Sequence, residues 1–159
     1  MDGIIRRRDW DGRARGAAER ALGPQAADGQ ARTGRHLKHS PGFLKLVDDA
    51  KSRVREVNVA ETQRKLESGK AILIDVREES EWKAGHARGA LPMGKGVIER
   101  DIEGRVPDKN AELILYCGGG FRSALAADNL QKMGYTNVAS VAGGWRAWQA
   151  GGAPVEKGK

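Results

Sequence analysis

The chain holds one cysteine, Cys117, followed directly by Gly118, Gly119, Gly120, Phe121, Arg122 and Ser123. This order favours nucleophilic chemistry at sulfur. Leu113-Ile114-Leu115-Tyr116 reads as a buried strand that delivers the cysteine to its carboxyl end, where open α/β sheets collect their ligands. Consecutive glycines permit backbone angles that turn successive N–H groups inward around the sulfur. Such a nest, joined to the start of a helix at Ser123, attracts an anion. Arg122 adds a permanent positive charge. A free thiol has a pKa of about 8.5, and cationic neighbours or helix N-termini lower it to ~3.5–7.5. The sulfur is therefore expected to be a thiolate at neutral pH, ringed by amides that would also stabilise an anionic adduct. A small buried cysteine beside a glycine turn is the plainer alternative, and the strand–cysteine–glycine–arginine–helix order speaks against it. The glycine run is not a nucleotide P-loop, because no Walker lysine follows it.

The surrounding chain alternates between strand and helix patterns from about Val57. Ala60–Leu66 reads as a short helix stopped by Ser68-Gly69. Ala71–Val76 is a nearly all-apolar run, as expected of a strand buried on both faces. Glu78–Ala84 is helical, Ala90-Leu91-Pro92 is extended, and Gly96–Ile102 is helical again. After the cysteine loop, Ser123–Met133 reads as an amphipathic helix closed by Gly134. Val138–Val141 forms another strand, and Gly143-Gly144 leads to a last helix around Trp145–Ala150. This alternation predicts an α/β fold with a mainly parallel central sheet flanked by helices.

Upstream, Ser40 and Pro41 are suited to the N-cap and first position of a helix. Phe43, Leu46, Val47, Ala50 and Val54 share one face of it. The expected organisation is a basic, flexible segment over 1–40, a helix over 41–56 packed on the domain, the domain itself over 57–150, and a tail over 151–159. The 159 residues suit one domain, and no apolar run approaches the ~18 residues of a membrane span. The net charge of +7 is split as +4 in residues 1–40 and +3 in the rest. The excess therefore sits mainly in a segment with few large apolar residues and no interleaved aromatics, which argues against nucleic-acid binding. His36 and His39, at the end of that segment, are expected to be solvated. A lone cysteine excludes an internal disulfide and a cysteine-based zinc cluster. It fits a reducing, cytoplasmic setting.

Four marks in order resemble the rhodanese family of sulfurtransferases. Cys117–Ser123 looks like its active-site loop, and Ile74-Asp75-Val76-Arg77 like its Asp-x-Arg at a strand end. Glu81-Trp82-Lys83-Ala84-Gly85-His86-Ala87-Arg88-Gly89-Ala90 is similar to its Gly-His stretch. Gly143-Gly144-Trp145-Arg146-Ala147-Trp148 resembles its carboxyl-terminal Gly-Gly mark. The resemblance spans roughly residues 57–150 and departs mildly at Trp82 and Ala87.

The resemblance implies a three-layer fold and a ping-pong transfer. Cys117 would take a sulfane sulfur from thiosulfate or a low-molecular-weight persulfide. The resulting persulfide, held by the amides of Gly118 to Ser123, would pass its outer sulfur to cyanide, a thiol or a protein cysteine. No metal or other cofactor is implied. Arg122 would orient an anionic donor, Phe121 would line the mouth, and Arg77 is counted with the substrate-binding residues. Asp75 and His86 are expected to be structural and near the site, and Trp145 and Trp148 to be packing residues.

Two rivals remain. A carrier or binding module that delivers persulfide to a partner would keep the same cysteine. Rhodanese-like phosphatases and arsenate reductases share the loop, but hold one more residue between cysteine and arginine than the four of Gly118–Phe121. A phosphoryl group, with its three equatorial oxygens, needs that roomier cradle.

Overall fold

The structure, a computed structural model, describes residues 39–159. Its elements follow in the order α1 (Pro41–Lys51), β1 (Arg55–Val57), α2 (Val59–Glu67), β2 (Ala71–Asp75), α3 (Glu79–Ala84), β3 (His86–Ala87), β4 (Leu91–Pro92), α4 (Ile98–Arg105), β5 (Glu112–Tyr116), α5 (Phe121–Lys132), β6 (Val138–Val141), α6 (Gly144–Ala150) and β7 (Val155–Glu156). Five strands form one parallel sheet in the order β1-β6-β5-β2-β4, while β3 and β7 pair antiparallel beside it. The expected α/β architecture is the one found, and the central sheet is wholly rather than mainly parallel.

The apolar runs explain the layering. Along β5 and the residue after it, Leu113, Leu115 and Cys117 point to one face and Ile114 and Tyr116 to the other, as the two-residue period of a strand requires. The first face is covered by Ile98 and Ile102 of α4 and by Ala126, Ala127 and Leu130 of α5. The second is covered by Trp148 of α6, with Val59 and Leu66 of α2 packed against it. Both faces are dry, so the central strands read as unbroken apolar runs. The strand β5 lies between β2 and β6, registering Asp75 with Tyr116 and Leu115 with Ser140. This puts the ends of three strands around residue 117.

Three local differences from expectation have simple causes. The helix beginning at Pro41 stops at Lys51 rather than running to residue 56. Val54 turns into the core, and Arg55–Val57 pairs with Ala139–Val141 as an edge strand too short to show a pattern. The last nine residues include β7, a two-residue strand fixed by pairing with His86–Ala87 rather than by its own composition. Helix α5 starts two residues before Ser123, because Gly120 adopts a left-handed conformation and serves as its N-cap. The basic segment lies outside the described residues except for His39 and Ser40. Ser40 caps α1 by accepting the Phe43 N–H at 3.4 Å. Helix α1 packs on α5, with Arg53 just beyond its end bound to Asp128 through two N–H···O contacts of 3.0 and 2.9 Å.

Candidate active site

Cys117 follows the last residue of β5 and is 1% exposed. Its Sγ points to the face covered by α5, and the loop that follows wraps the sulfur with donors. The Gly120 N–H donates to Sγ at 3.1 Å, and the Ser123 hydroxyl donates at 3.4 Å. Ser123 Oγ also lies 2.7 Å from Ser140 Oγ. If Ser123 spends its proton on the sulfur, Ser140 must donate to Ser123, so a short relay of hydroxyls ends at the thiolate. Burial pushes the Cys117 thiol pKa up. The Ser123 hydroxyl and the amides of Ser123, Gly119 and Gly120 outweigh it, and the net value lies below that of an ordinary thiol.

The loop needs its glycines for different reasons. Gly120 has φ +96°, and a Cβ there would meet Gly143 N and Val141 O at 3.3 Å. A Cβ on Gly118 would stand 3.1 Å from Arg122 Nη2, so this glycine lets the guanidinium lie against the loop. The loop is then clamped from the other side by the start of α6. Trp145 N–H donates to the Cys117 carbonyl at 2.7 Å, and Arg146 N–H donates to the Gly118 carbonyl at 3.2 Å. The Gly-Gly mark before Trp145 is thus a contact surface for the cysteine loop.

Around the sulfur lies a pocket of about 240 Å³. Gly118, Gly119, Phe121 and Arg122, all singled out in the sequence, line it. His39, Phe43 and Arg146 line it too, and these the sequence did not single out for the site. His39 is exposed, as expected of it, yet it stands at the pocket. Its ring centroid lies 4.7 Å from Phe121, edge-on, and 5.1 Å from Phe43. Arg122 is half-buried and binds Glu81 through Nη1 to Oε2 at 2.9 Å and Nη2 to Oε1 at 3.1 Å. The bond to Glu81, with the nearby Cys117 charge, holds the Arg122 pKa above its ordinary value. The Arg122 guanidinium and the Glu78 N–H hold the Glu81 pKa below its own.

Arg77 takes no part in this pocket. Its guanidinium grips Asp75 through contacts of 2.7 to 3.1 Å and donates to the Gly85 carbonyl at 2.7 Å. It lies over the Trp145 ring, 4.6 Å from the centroid. Asp75 also accepts the Tyr116 hydroxyl at 2.5 Å, and that oxygen accepts the Ala87 N–H. Arg77, Asp75 and Tyr116 form a buried strut on the sheet face opposite Cys117. The Arg77 guanidinium is thus committed to Asp75 and Gly85, away from the Cys117 pocket where substrate binding had been expected of it. His86 is also buried away from the pocket. Its ring stacks on Trp82 at 3.4 Å, its Nδ1 lies 2.9 Å from the Trp82 carbonyl, and its Nε2 lies 3.7 Å from Glu156.

Residues 58–151 match the family model for the rhodanese-like domain. The chain belongs to the rhodanese-like domain family. Solved structures agree with that assignment. A Rhodopseudomonas palustris protein of unknown function, described as a possible tyrosine phosphatase, is 30% identical with a TM-score of 0.65, over 77% of this chain and 100% of its own. The Alr3790 protein of Anabaena is 27% identical with a TM-score of 0.59, over 64% of this chain and 92% of that one. A thiosulfate sulfurtransferase from Pseudomonas aeruginosa is 25% identical with a TM-score of 0.62, over 66% of this chain and only 20% of its own.

One wall of this rhodanese-like pocket stands outside the family match. His39 and Phe43 precede the matched residues, so α1 completes a site that the domain alone leaves open. Glu81 lay within a recognised mark, yet nothing in its type announced Arg122 as partner. Ser140 carried a usable signal: it is a hydroxyl within the apolar run Val138–Val141, and a buried hydroxyl needs a partner.

Proposed function

We propose that this rhodanese-like domain is a sulfurtransferase that works through a Cys117 persulfide. The observation that carries the reading is the sulfur itself: buried, yet receiving the Gly120 N–H and the Ser123 hydroxyl, at the base of a small open pocket. The Cys117 thiolate attacks the outer sulfur of thiosulfate. A new S–S bond forms, the old one breaks, and its electron pair leaves with sulfite. Amides of Gly119, Gly120 and Ser123 that hold the thiolate are placed to hold the persulfide anion as well. A nucleophile such as cyanide then attacks the outer sulfur. Thiocyanate leaves and the thiolate returns, so no external oxidant or reductant enters the cycle. A low-molecular-weight persulfide would load the same sulfur, and a thiol or protein cysteine would serve as acceptor. The reducing cytoplasm suits a thiol that must stay free.

The test is intact-protein mass after incubation with thiosulfate, for wild type and Cys117→Ser. One added sulfur on wild type only, removed by cyanide as thiocyanate, supports the cycle. Rapid loading with poor turnover would favour a carrier that hands persulfide to a partner. The description of the Rhodopseudomonas protein makes phosphatase activity worth one assay with p-nitrophenyl phosphate. The four-residue spacing from Cys117 to Arg122 argues for a negative result. Hydrolysis lost in Cys117→Ser, with no sulfur uptake, would overturn the sulfurtransferase reading.

A further inference from the structure

The Cys117 pocket has two guanidiniums on its rim, and they are not equivalent. Arg122 is bound at both ends to Glu81, so its charge is largely matched. Arg146 is exposed, and among the described residues no carboxylate lies within ion-pair distance of it. Its backbone is fixed, because its N–H donates to the Gly118 carbonyl. Its side chain reaches back over the loop, with Nη1 3.7 Å from where a Cβ on Gly119 would stand. The opposite wall is aromatic. Phe43 and Phe121 meet edge-to-face at 6.1 Å, and His39 lies against both. The nearest cation there, Lys51, sits over the Phe121 ring at 4.9 Å and pairs with Glu56 at 3.6 Å.

This arrangement has an electrostatic consequence. A thiolate attacking an anionic donor works against like-charge repulsion. Cys117 and Glu81 bring two negative charges to the site, and Arg122 answers one. The loop amides already serve the Cys117 charge, so a second anion at the mouth calls for a further cation. Among the described residues that line the pocket, the positive charge without a carboxylate partner is Arg146.

We propose that Arg146 binds the anionic end of the sulfur donor, and that it, rather than Arg122, sets the preference of this pocket for anions. The sulfonate end of thiosulfate, or the carboxylate of a persulfide, would lie towards Arg146 and away from the aromatic wall. The sulfane sulfur is then left facing Sγ. The assignment of the ligand as a sulfur donor rests on the sulfurtransferase reading. The binding of an anion does not.

One cysteine in the whole chain makes the test clean. The full-length protein is alkylated with iodoacetate, an anion, and with iodoacetamide, its neutral counterpart, and the two rates are expressed as a ratio. Loss of one charge-assisted contact should lower that ratio about tenfold in Arg146→Gln, with most of it restored in Arg146→Lys and a deeper loss in Arg146→Glu. The thiosulfate concentration for half-maximal sulfur loading, read by mass, should rise in the same order. An unchanged ratio in Arg146→Gln and Arg146→Glu would overturn the proposal, even if thiosulfate loads every variant. A lowered ratio with no sulfur uptake by wild type would keep Arg146 as an anion-binding residue and overturn the donor reading.

Discussion

Gly144 and Cys117 are in such close contact that a Cβ on Gly144 would stand 2.4 Å from the Cys117 carbonyl oxygen. Gly144 also has φ +53°, which other residues rarely adopt. The first turn of α6 is therefore pressed flat against the cysteine loop, and the Trp145 N–H completes the contact. Gly144→Ala cannot be absorbed by a side-chain shift, since the obstacle is backbone. It should cost roughly 2 kcal/mol or more from overlap and strain combined. The same change should raise the Cys117 pKa by loosening the amides around sulfur. Urea unfolding and the pH profile of iodoacetamide alkylation would report the two effects separately.

The thiol should titrate below the ordinary value of about 8.5. Burial opposes this, and the Ser123 hydroxyl leads the groups that overcome it. Alkylation of wild type should therefore reach its plateau at a lower pH than that of an unfolded control. Ser123→Ala should move the inflection upward and leave the Ser140 hydroxyl without its partner, at about 1–3 kcal/mol of stability. Linkage fixes the sign for wild type. A depressed folded-state pKa adds stability that is full above the unfolded thiol pKa and is lost as pH falls through the folded one. Compared with Cys117→Ser, wild type should gain stability on going from mildly acidic to alkaline pH. A flat difference would contradict the donor ring.

Much of this was legible because the chemistry and the fold share one signal. Leu113–Tyr116 is apolar throughout because both faces of β5 are covered, and that same burial puts Cys117 at a strand end. The cysteine–glycine–arginine loop could be read from its order alone. What could not be read were distances between segments remote in sequence. Glu81 and Arg122 are joined across 41 positions, and nothing in either residue type states that pairing. Arg77 shows the converse: an arginine at a strand end looks free until Asp75, Gly85 and Trp145 are seen around it. His39 and Phe43 reach the pocket only because α1 packs on α5, a docking that the helix pattern implied without giving its direction.

The Arg122–Glu81 pair predicts two opposite changes at the same sulfur. Arg122 lies close enough to Cys117 for each charge to favour the other. Arg122→Gln removes a cation and leaves Glu81 uncompensated, so the thiol pKa should rise. Glu81→Gln frees the Arg122 charge, so the thiol pKa should fall. At the effective dielectric of a protein edge each change should alter the neutral-pH alkylation rate by roughly two- to tenfold. Glu81 also accepts the Glu78 N–H at the start of α3, so its loss should cost about 1 kcal/mol more. Alkylation by iodoacetamide at fixed pH, with both variants in one series, checks the signs. Movement in the same direction would show that the pair acts through loop geometry and not through charge.

The Asp75–Arg77 strut predicts a variant that fails in stability and not in thiol chemistry. Both side chains are almost wholly buried, and Arg77 Nη2 lies 2.7 Å from Asp75 Oδ2. Removing one partner leaves a buried charge without an answer, which costs about 3–5 kcal/mol. Asp75→Ala should therefore lower the urea midpoint severely, and it also takes the acceptor from the Tyr116 hydroxyl. Asp75→Asn keeps the shape and one acceptor oxygen, and should lose less. In the folded fraction of Asp75→Asn, the pH profile of Cys117 alkylation should match wild type, because the strut lies on the far face of the sheet. A shifted profile with unchanged stability would return Asp75 and Arg77 to the active site.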